Sequence, residues 1–330
     1  MRAIRAKKRR VHRLRSIHEL ASRLNLLLGN YHEKIFILGD GRSGTNWLVN
    51  LVNFDRRYRL VYEPFHGAEF RPILDAGAEY PFPAFHGDSA LSAQFDKAAR
   101  GKFISRHVTL DYPRPLYRGL LVKDINAHMV LDELSQAIPD LRKAMIMRHP
   151  FAVAASKTRY KNHHWPTLPS YFLSKDEAVK SRLGPQSKFI EEIEKREDPL
   201  LNFITVWCIL HKLAFCSSSI RDFYIVFYEE LSFEPSQIVP ELFGALGLTT
   251  YFERHKSVID ALFEKPSRVT MADNTIHASR QGKASWMTSL TPDTIDRGLD
   301  ILRVFGLDHI YGNDHFPKLG AGDLRAQLSG

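Results

Sequence analysis

The chain has 330 residues, of which 44% are hydrophobic and 25% are charged. This composition is typical of a globular protein that buries a large core, and it argues against a disordered chain. The longest apolar runs, such as LNLLLG and KIFILG, are too short to cross a bilayer. The formal net charge of +9 is uneven, because the first 15 residues hold eight Lys and Arg and no acid, while the remainder sums to about +1.

Residues 1–33 are predicted to form a basic arm followed by an amphipathic helix. Apolar residues recur there at helical spacing: Ile17, Leu20, Leu24, Leu27 and Leu28. We interpret the arm as a solvated segment and expect the helix to pack on its own domain. Two alternatives remain open: the arm binds an anionic membrane or a nucleic acid, and the helix lies on a membrane surface.

From residue 34 onward, apolar strands alternate with helices. Strands are predicted at 34–39, 58–65, 119–125, 141–149 and 222–231, and helices at 45–54, 128–138, 150–160, 201–219, 234–248 and from Pro292. This alternation predicts an α/β fold with a central, mainly parallel β-sheet flanked by helices. Residues 34–330 are predicted to form a single domain, in which the Pro- and Gly-rich segments at about 67–118 and 161–197 are insertions.

The two cysteines, Cys208 and Cys216, lie in the predicted helix 201–219. Their separation corresponds to roughly 12 Å of helix rise, which is too far for a disulfide. We therefore predict two buried thiols in a reducing compartment. No spacing of Cys and His indicates a metal site.

The segment after the first predicted strand reads GDGRSGTNW. Gly39 and Gly44 keep the glycine spacing of a Walker A loop, but Thr45 replaces its lysine and Asn46 replaces its magnesium-binding hydroxyl residue. Glycines and the amide groups of a helix N-terminus bind anions. The predicted anion-binding residues are Gly41, Arg42, Ser43, Gly44, Thr45 and Asn46. The alternative is a turn that only packs a strand against a helix.

Two further segments suit an anion. Arg148 ends a predicted strand, and Ser156 lies in the helix that follows. The loop SRQGKASW supplies Arg280, Gly282 and Lys283 with no acid nearby. A salt bridge at the strand end and a solvated basic turn are the simpler interpretations of each alone. Together with the first loop, they favour a ligand with phosphates at two separated positions.

These motifs resemble those of sulfotransferases that use 3′-phosphoadenosine 5′-phosphosulfate, most of all the carbohydrate sulfotransferases that modify hydroxyls of GlcNAc and galactose. GDGRSGTNWL is similar to their 5′-phosphosulfate loop, and RHPFAVAAS is similar to their 3′-phosphate motif. LVYEPFH, LVKDI, IVFYEEL and the segment from SRQGKASW onward also resemble family segments, in the same order. The chain departs from the family at His149, where many members have Asp, and it lacks an arginine before the tyrosine of FYEEL.

The resemblance implies a P-loop-type fold and transfer of a sulfuryl group to a hydroxyl of a carbohydrate or glycoconjugate, without a metal. It implies that Glu63 is the general base. His66 is the alternate base, and Lys123, at a strand end, is predicted to neutralise charge on the leaving phosphate oxygen or the sulfonate. The simpler interpretations are a loop carboxylate that caps or pairs with a nearby arginine, a packed histidine and a surface lysine beside Asp124. We assign Arg42 to the 5′-phosphosulfate and the 3′-phosphate to Arg148, Ser156, Arg280 and Lys283.

Two other functions remain open from the sequence. One is a P-loop-type kinase, which the missing lysine disfavours. The other is a non-enzymatic nucleotide- or anion-binding protein with a tail that binds membrane or nucleic acid. The sequence predicts a cytoplasmic protein with no transmembrane segment, whose basic N-terminus is a candidate for peripheral contact with the anionic inner membrane face. Nucleic acid is the less favoured partner.

Overall fold

The computed structural model describes residues 17, 19–65, 97–102, 114–159, 167–174, 177–263 and 285–329. A five-stranded sheet lies at its centre, in the order β2-β3-β1-β4-β5, and every pairing is parallel. The strands are β1 (Glu33–Leu38), β2 (Tyr58–Tyr62), β3 (Gly119–Asp124), β4 (Arg142–Met147) and β5 (Phe223–Phe227). The predicted α/β class and all five predicted strands are confirmed.

Helices cover the sheet on both faces. In the first half of the chain they are α1 (Thr45–Val52), α2 (Leu131–Ala137), α3 (Pro150–Arg159), α4 (Glu177–Leu183), α5 (Ser187–Glu194) and α6 (Pro199–Phe215). In the second half they are α7 (Tyr228–Phe233), α8 (Pro235–Ala245), α9 (Thr249–Asp260), α10 (Ser285–Ser289), α11 (Pro292–Phe305) and α12 (Ala321–Ser329). Residues 19–27 form a further helix before β1, here called the N-terminal helix.

The strands are mostly apolar on both faces because each face packs against helices, although β2 also buries Arg59 and β4 buries Lys143. In β1, Ile35 and Ile37 point to the side covered by α1 and α8, whereas Phe36 and Leu38 point to the side covered by α3 and α6. All four side chains are fully buried. Continuous apolar strands of this kind are characteristic of parallel sheets that are covered on both faces.

Two local predictions are wrong. The strand predicted over 222–231 ends at Phe227, and α7 follows at once. Glu229 and Glu230 lie in the first turn of α7, where carboxylates favour a helix. Both cysteines are free as predicted, but only Cys208 is buried, because Cys216 lies just past the end of α6 and is exposed.

The described part of the predicted insertion 161–197 is helical. It contains a 3₁₀ helix (Pro169–Ser174) together with α4 and α5. Phe172, Leu183, Ile190 and Ile193 are buried in the same core as α6. No described helix combines the length and the apolar character that crossing a membrane requires.

Candidate functional site

The loop after β1 is closely packed at both of its framing glycines. A Cβ on Gly39 would lie 2.6 Å from the backbone oxygen of Ile146. Gly44 has a φ of 95° and begins α1, and a Cβ there would lie 2.6 Å from the Tyr228 ring. A side chain fits at neither position, so the packing of β1 on β4 and α7 requires both glycines whatever the loop binds.

The N-terminus of α1 has features that are typical of an anion-binding helix N-terminus. Gly44 provides no side-chain cap, and the first turn of α1 contains no acidic residue. The Ser43 hydroxyl is buried and has no hydrogen-bond partner. Uncapped amide groups and the positive end of the helix dipole both favour an anion at this point.

Three of the predicted anion-binding residues lie together beside this loop. Arg42 has a φ of 74°, and its Nε donates a hydrogen bond of 2.9 Å to Oγ of Ser156 on α3. Nη1 of Arg148 donates to the backbone oxygen of Arg42 at 3.1 Å. The Arg148 guanidinium lies 4.3 Å from the centre of the Tyr228 ring, and its Nε is buried without a hydrogen-bond partner. The structure thus joins Arg42 and Ser156, which the resemblance assigned to different phosphates.

A buried ion pair fixes the loop to α3. Nζ of Lys157 lies 2.7 Å from both carboxylate oxygens of Asp40, and both residues are almost fully buried. Neighbouring residues of α3 therefore hold the loop, Ser156 through Arg42 and Lys157 through Asp40. The sequence did not predict this pair. The available signal was a single lysine in the buried run AVAASK, which needs a carboxylate partner.

A second buried ion pair joins the carboxyl ends of β2 and β3. Nζ of Lys123 donates to Oε1 of Glu63, and the backbone N–H of Glu63 donates to the Lys123 oxygen at 2.6 Å. Burial lowers the pKa of Lys123, but the charge of Glu63 and the Tyr62 side chain outweigh it, so the pKa is raised overall. Lys123 is therefore cationic. Its ammonium group is bound to the Glu63 carboxylate, which is the group predicted to accept a proton.

Asp124 holds the segment after Glu63 against β3. Its side chain is fully buried and accepts hydrogen bonds from the backbone N–H groups of Phe65 at 2.9 Å and Asn126 at 2.6 Å. Burial raises the pKa of Asp124 to about 7, although these two hydrogen bonds lower it. The predicted base Glu63 thus lies on a segment that is fixed on both sides of it.

The backbone that carries Arg148 is positioned by Glu229 of α7. Oε1 of Glu229 accepts from the His149 N–H at 2.9 Å, and Oε2 accepts from the Tyr311 hydroxyl at 3.0 Å. Burial raises the pKa of Glu229 to about 7 and lowers that of His149 to about 3, so the imidazole is neutral. The His149 ring stacks on Trp286 with 4.4 Å between centroids.

Neither a scan against models of protein families nor a search of curated proteins finds a match to this chain.

The predicted residues His66, Arg280, Gly282 and Lys283 lie outside the described residues. Within the described ranges, no group of His, Cys, Asp and Glu side chains is arranged to hold a metal ion.

Strand order relates the parts of the site to one another. Because β1 lies between β3 and β4, the glycine loop has the Glu63–Lys123 pair on one side and Arg148 with Ser156 on the other. From β1 the chain continues first to β2 and β3 on one side of β1 and then to β4 and β5 on the other. Open parallel sheets bind ligands where the strand order reverses in this way.

Proposed function

We propose that the protein is a sulfotransferase that uses 3′-phosphoadenosine 5′-phosphosulfate and modifies a hydroxyl of a carbohydrate or glycoconjugate. The supporting observation concerns the lysine-free glycine loop at the strand-order reversal. The loop contains Arg42, and it has Arg148 with Ser156 on one side and a buried carboxylate–lysine pair on the other. Such an arrangement offers an anion cradle beside a candidate base.

The donor is proposed to lie across β1 and β4. The 5′-phosphosulfate occupies the start of α1, where residues Gly41 to Asn46 and the Arg42 side chain contact it. Ser43 contributes its hydroxyl, because its amide already donates to the Asp40 oxygen at 3.1 Å. The 3′-phosphate binds Arg148 and Ser156, with Arg280 and Lys283 as further contacts. Since Arg42 and Ser156 are hydrogen-bonded to each other, donor binding exchanges that contact for one phosphate contact from each residue.

The chemistry requires no metal in this proposal. The sulfuryl group carries one negative charge, whereas a γ-phosphoryl group carries two, so positioning and hydrogen-bond donors are enough. The acceptor oxygen attacks sulfur in line, the bond from sulfur to the 5′-phosphate oxygen breaks, and adenosine 3′,5′-bisphosphate leaves. We expect a chelator to leave turnover unchanged.

Glu63 and Lys123 are proposed to act as a linked pair. As negative charge develops on the leaving 5′-phosphate oxygen, the Lys123 ammonium moves from the Glu63 carboxylate toward it. This movement frees Glu63 to take the proton of the acceptor hydroxyl. His66 is the alternate base.

The test is calorimetric titration of the full chain with adenosine 3′,5′-bisphosphate in the presence of a chelator, in parallel with ATP and Mg²⁺. We expect micromolar binding of the bisphosphate and little binding of ATP. Binding of ATP–Mg alone would favour the kinase, and binding of the bisphosphate without turnover on any hydroxyl acceptor would favour a non-enzymatic nucleotide-binding protein.

The variant Arg148→Ala tests whether Arg148 binds the bisphosphate in this titration. Losing its charged hydrogen bonds should weaken bisphosphate binding by about 1.5–3 kcal/mol, which is roughly 10- to 150-fold. Arg182→Ala, at an exposed arginine of α4, is the matched control and should bind as the wild type does. Equal affinity of the two variants would remove Arg148 from the donor site.

We also propose a cytoplasmic location for the protein, with the basic N-terminus as the point of peripheral contact with the inner membrane face. The acceptor class is proposed from the resemblance to carbohydrate sulfotransferases. A screen of hydroxylated acceptors follows once the donor is known.

A further inference from the structure

The N-terminal helix packs on the domain with its polar side. Ser22 and Asn25 are buried, and Oγ of Ser22 donates to the Gly101 oxygen at 2.9 Å. Nδ2 of Asn25 donates to the Pro115 oxygen at 2.9 Å, and Oδ1 of Asn25 accepts from the Tyr117 N–H at 2.7 Å. These hydrogen bonds fix the rotation of the helix about its axis.

The opposite side of the helix exposes its leucines. The exposed fractions are 70% for Leu20, 39% for Leu24, 86% for Leu27 and 55% for Leu28. Leu116 extends this surface, since it is 55% exposed and lies between the two residues that bind Asn25. We call these five residues the leucine face. An amphipathic helix ordinarily turns its apolar side to the core, so this orientation is reversed.

Exposed basic residues lie on the helix and on the segments that contact it. They are Arg23 on the helix, Lys97 and Lys102 on the segment that binds Ser22, and Arg114 and Arg118 near Leu116 in the chain. Arg118 is partly neutralised, because its Nε lies 2.7 Å from Oε1 of Glu33. The only acid in residues 19–27 is Glu19. The sequence that leads into the helix adds eight Lys and Arg within 15 residues. Exposed apolar side chains can enter the interface of a bilayer, and basic residues near them can bind its anionic headgroups.

We propose that the leucine face inserts into the headgroup region of an anionic membrane, while the nearby Lys and Arg bind lipid phosphates. This rests on the proposed peripheral membrane contact and deepens it, since it assigns that contact to five described residues. Vesicle binding needs neither the donor nor the acceptor, so its failure would leave the proposed sulfotransferase reaction untouched. A second copy of the chain fits the surface poorly. Two leucine faces packed on each other would bring the same basic residues of both copies together.

The first test is co-sedimentation of the full chain with vesicles of phosphatidylcholine and phosphatidylglycerol, with pure phosphatidylcholine vesicles in parallel. We expect binding to the anionic vesicles that weakens with salt. The double variant Leu20→Gln/Leu27→Gln should partition at least ~10-fold less, because it removes apolar surface that enters the interface. Its thermal midpoint should stay unchanged, since both side chains point to solvent.

Leu168→Gln/Val258→Gln is the matched control, because these apolar residues are also about half exposed but lie elsewhere in the chain. It should bind vesicles as the wild type does. Equal binding by the two double variants would show that basic charge alone binds the vesicles, and it would overturn the role of the leucine face. Absence of wild-type binding would overturn the proposal as well.

An environment-sensitive dye at position 27 gives a second readout. The label is attached to Leu27→Cys in a Cys216→Ser background, which leaves only the buried Cys208. We expect a blue shift on addition of anionic vesicles and none with neutral vesicles. A blue-shifted label without vesicles would mean that the chain itself covers the face. A concentration-dependent dimer that Leu20→Gln/Leu27→Gln abolishes would make a second copy the occupant. Either result would overturn the proposal.

Discussion

Glu63 has an unusual backbone and an unusual partner. Its φ of 46° is uncommon for a residue with a side chain and costs on the order of 1 kcal/mol or more. The hydrogen bond from its N–H to Lys123 and the ion pair between the two side chains hold it there. Strained residues of this kind cluster at functional sites, which agrees with a proposed role in proton transfer.

Glu63→Gln should therefore retain binding of adenosine 3′,5′-bisphosphate and lose turnover by about 10²-fold or more, the usual effect of removing a general base. Steady-state rates and calorimetry separate the two effects. The control is Glu253→Gln, at an exposed carboxylate of α9. Turnover close to wild type would transfer the base role to His66.

The Asp40–Lys157 pair predicts a large change in stability from one side chain. Lys157→Met leaves the Asp40 carboxylate buried without its partner and should lower the free energy of unfolding by about 3–5 kcal/mol. Lys256→Met, in the exposed pair with Asp260, should cost less than about 1 kcal/mol. Urea denaturation measures both.

The double variant Asp40→Leu/Lys157→Met separates an unpaired charge from lost packing. It should be more stable than Lys157→Met alone, because no charge remains buried. A double variant that is no more stable than the single one would show that the unpaired Asp40 carboxylate is not what destabilises Lys157→Met.

Some residues of the site were predictable and others were not. The glycines at 39 and 44 follow from their spacing, and Arg42 follows from its place between them. The Asp40–Lys157 pair was missed because its members are 117 positions apart, and a sequence does not show which side chains meet across a sheet. Whether Glu63 has a partner was equally hidden, since the pairing of β2 with β3 decides it.

At the scale of elements, the turn from β1 into α1 depends on missing side chains. Gly39→Ala should lower the free energy of unfolding by about 1–3 kcal/mol, because its Cβ would collide with backbone that cannot move freely. Gly44→Ala should cost at least as much, since the positive φ adds to the contact with Tyr228. Chemical denaturation gives both values.

Gly244→Ala is the matched control for these two variants. Gly244 lies in α8, and a Cβ there would lie 3.8 Å from the nearest atom, which is ordinary contact. Alanine should stabilise that helix by up to about 1 kcal/mol. If all three variants changed stability alike, close packing would not be the reason for glycine at 39 and 44.

The strands were predictable as elements because each has an apolar run bounded by polar or turn residues. The same signal misplaced the end of β5. The apolar pattern continues past Phe227 into Tyr228, and only the carboxylates after it favour a helix. The strand order was not predictable, since it depends on which crossovers pass on which side of β1.

Across the whole molecule, Glu229 joins segments that are far apart in the chain. It binds His149 at the end of β4 and Tyr311 after α11. The pKa of Glu229 is about 7 in the folded protein, against an ordinary value of 4.5. Between these two pH values, the folded protein keeps a proton that the unfolded chain has released. The contribution of Glu229 to stability is therefore complete below pH 4.5 and is lost as the pH rises through about 7.

Glu229→Gln removes this titration. The thermal midpoint of the wild type relative to the variant should fall as the pH rises from about 5 to about 8. His149, whose lowered pKa contributes the opposite slope, is present in both proteins and cancels in the difference. Glu192→Gln, at an exposed carboxylate, should show no such trend. A difference that stays flat from about pH 5 to about pH 8 would mean that Glu229 is already ionised in the folded protein.

The central position of β1 also sets the order in which the site is completed during translation. β1 leaves the ribosome first, but its neighbours β3 and β4 are made later, and Glu229 later again. A nascent chain that ends before residue 146 holds the glycine loop without the backbone that packs on Gly39. The loop can therefore take its final shape only when most of the chain has been synthesised, so an incomplete product lacks the packed form of this loop.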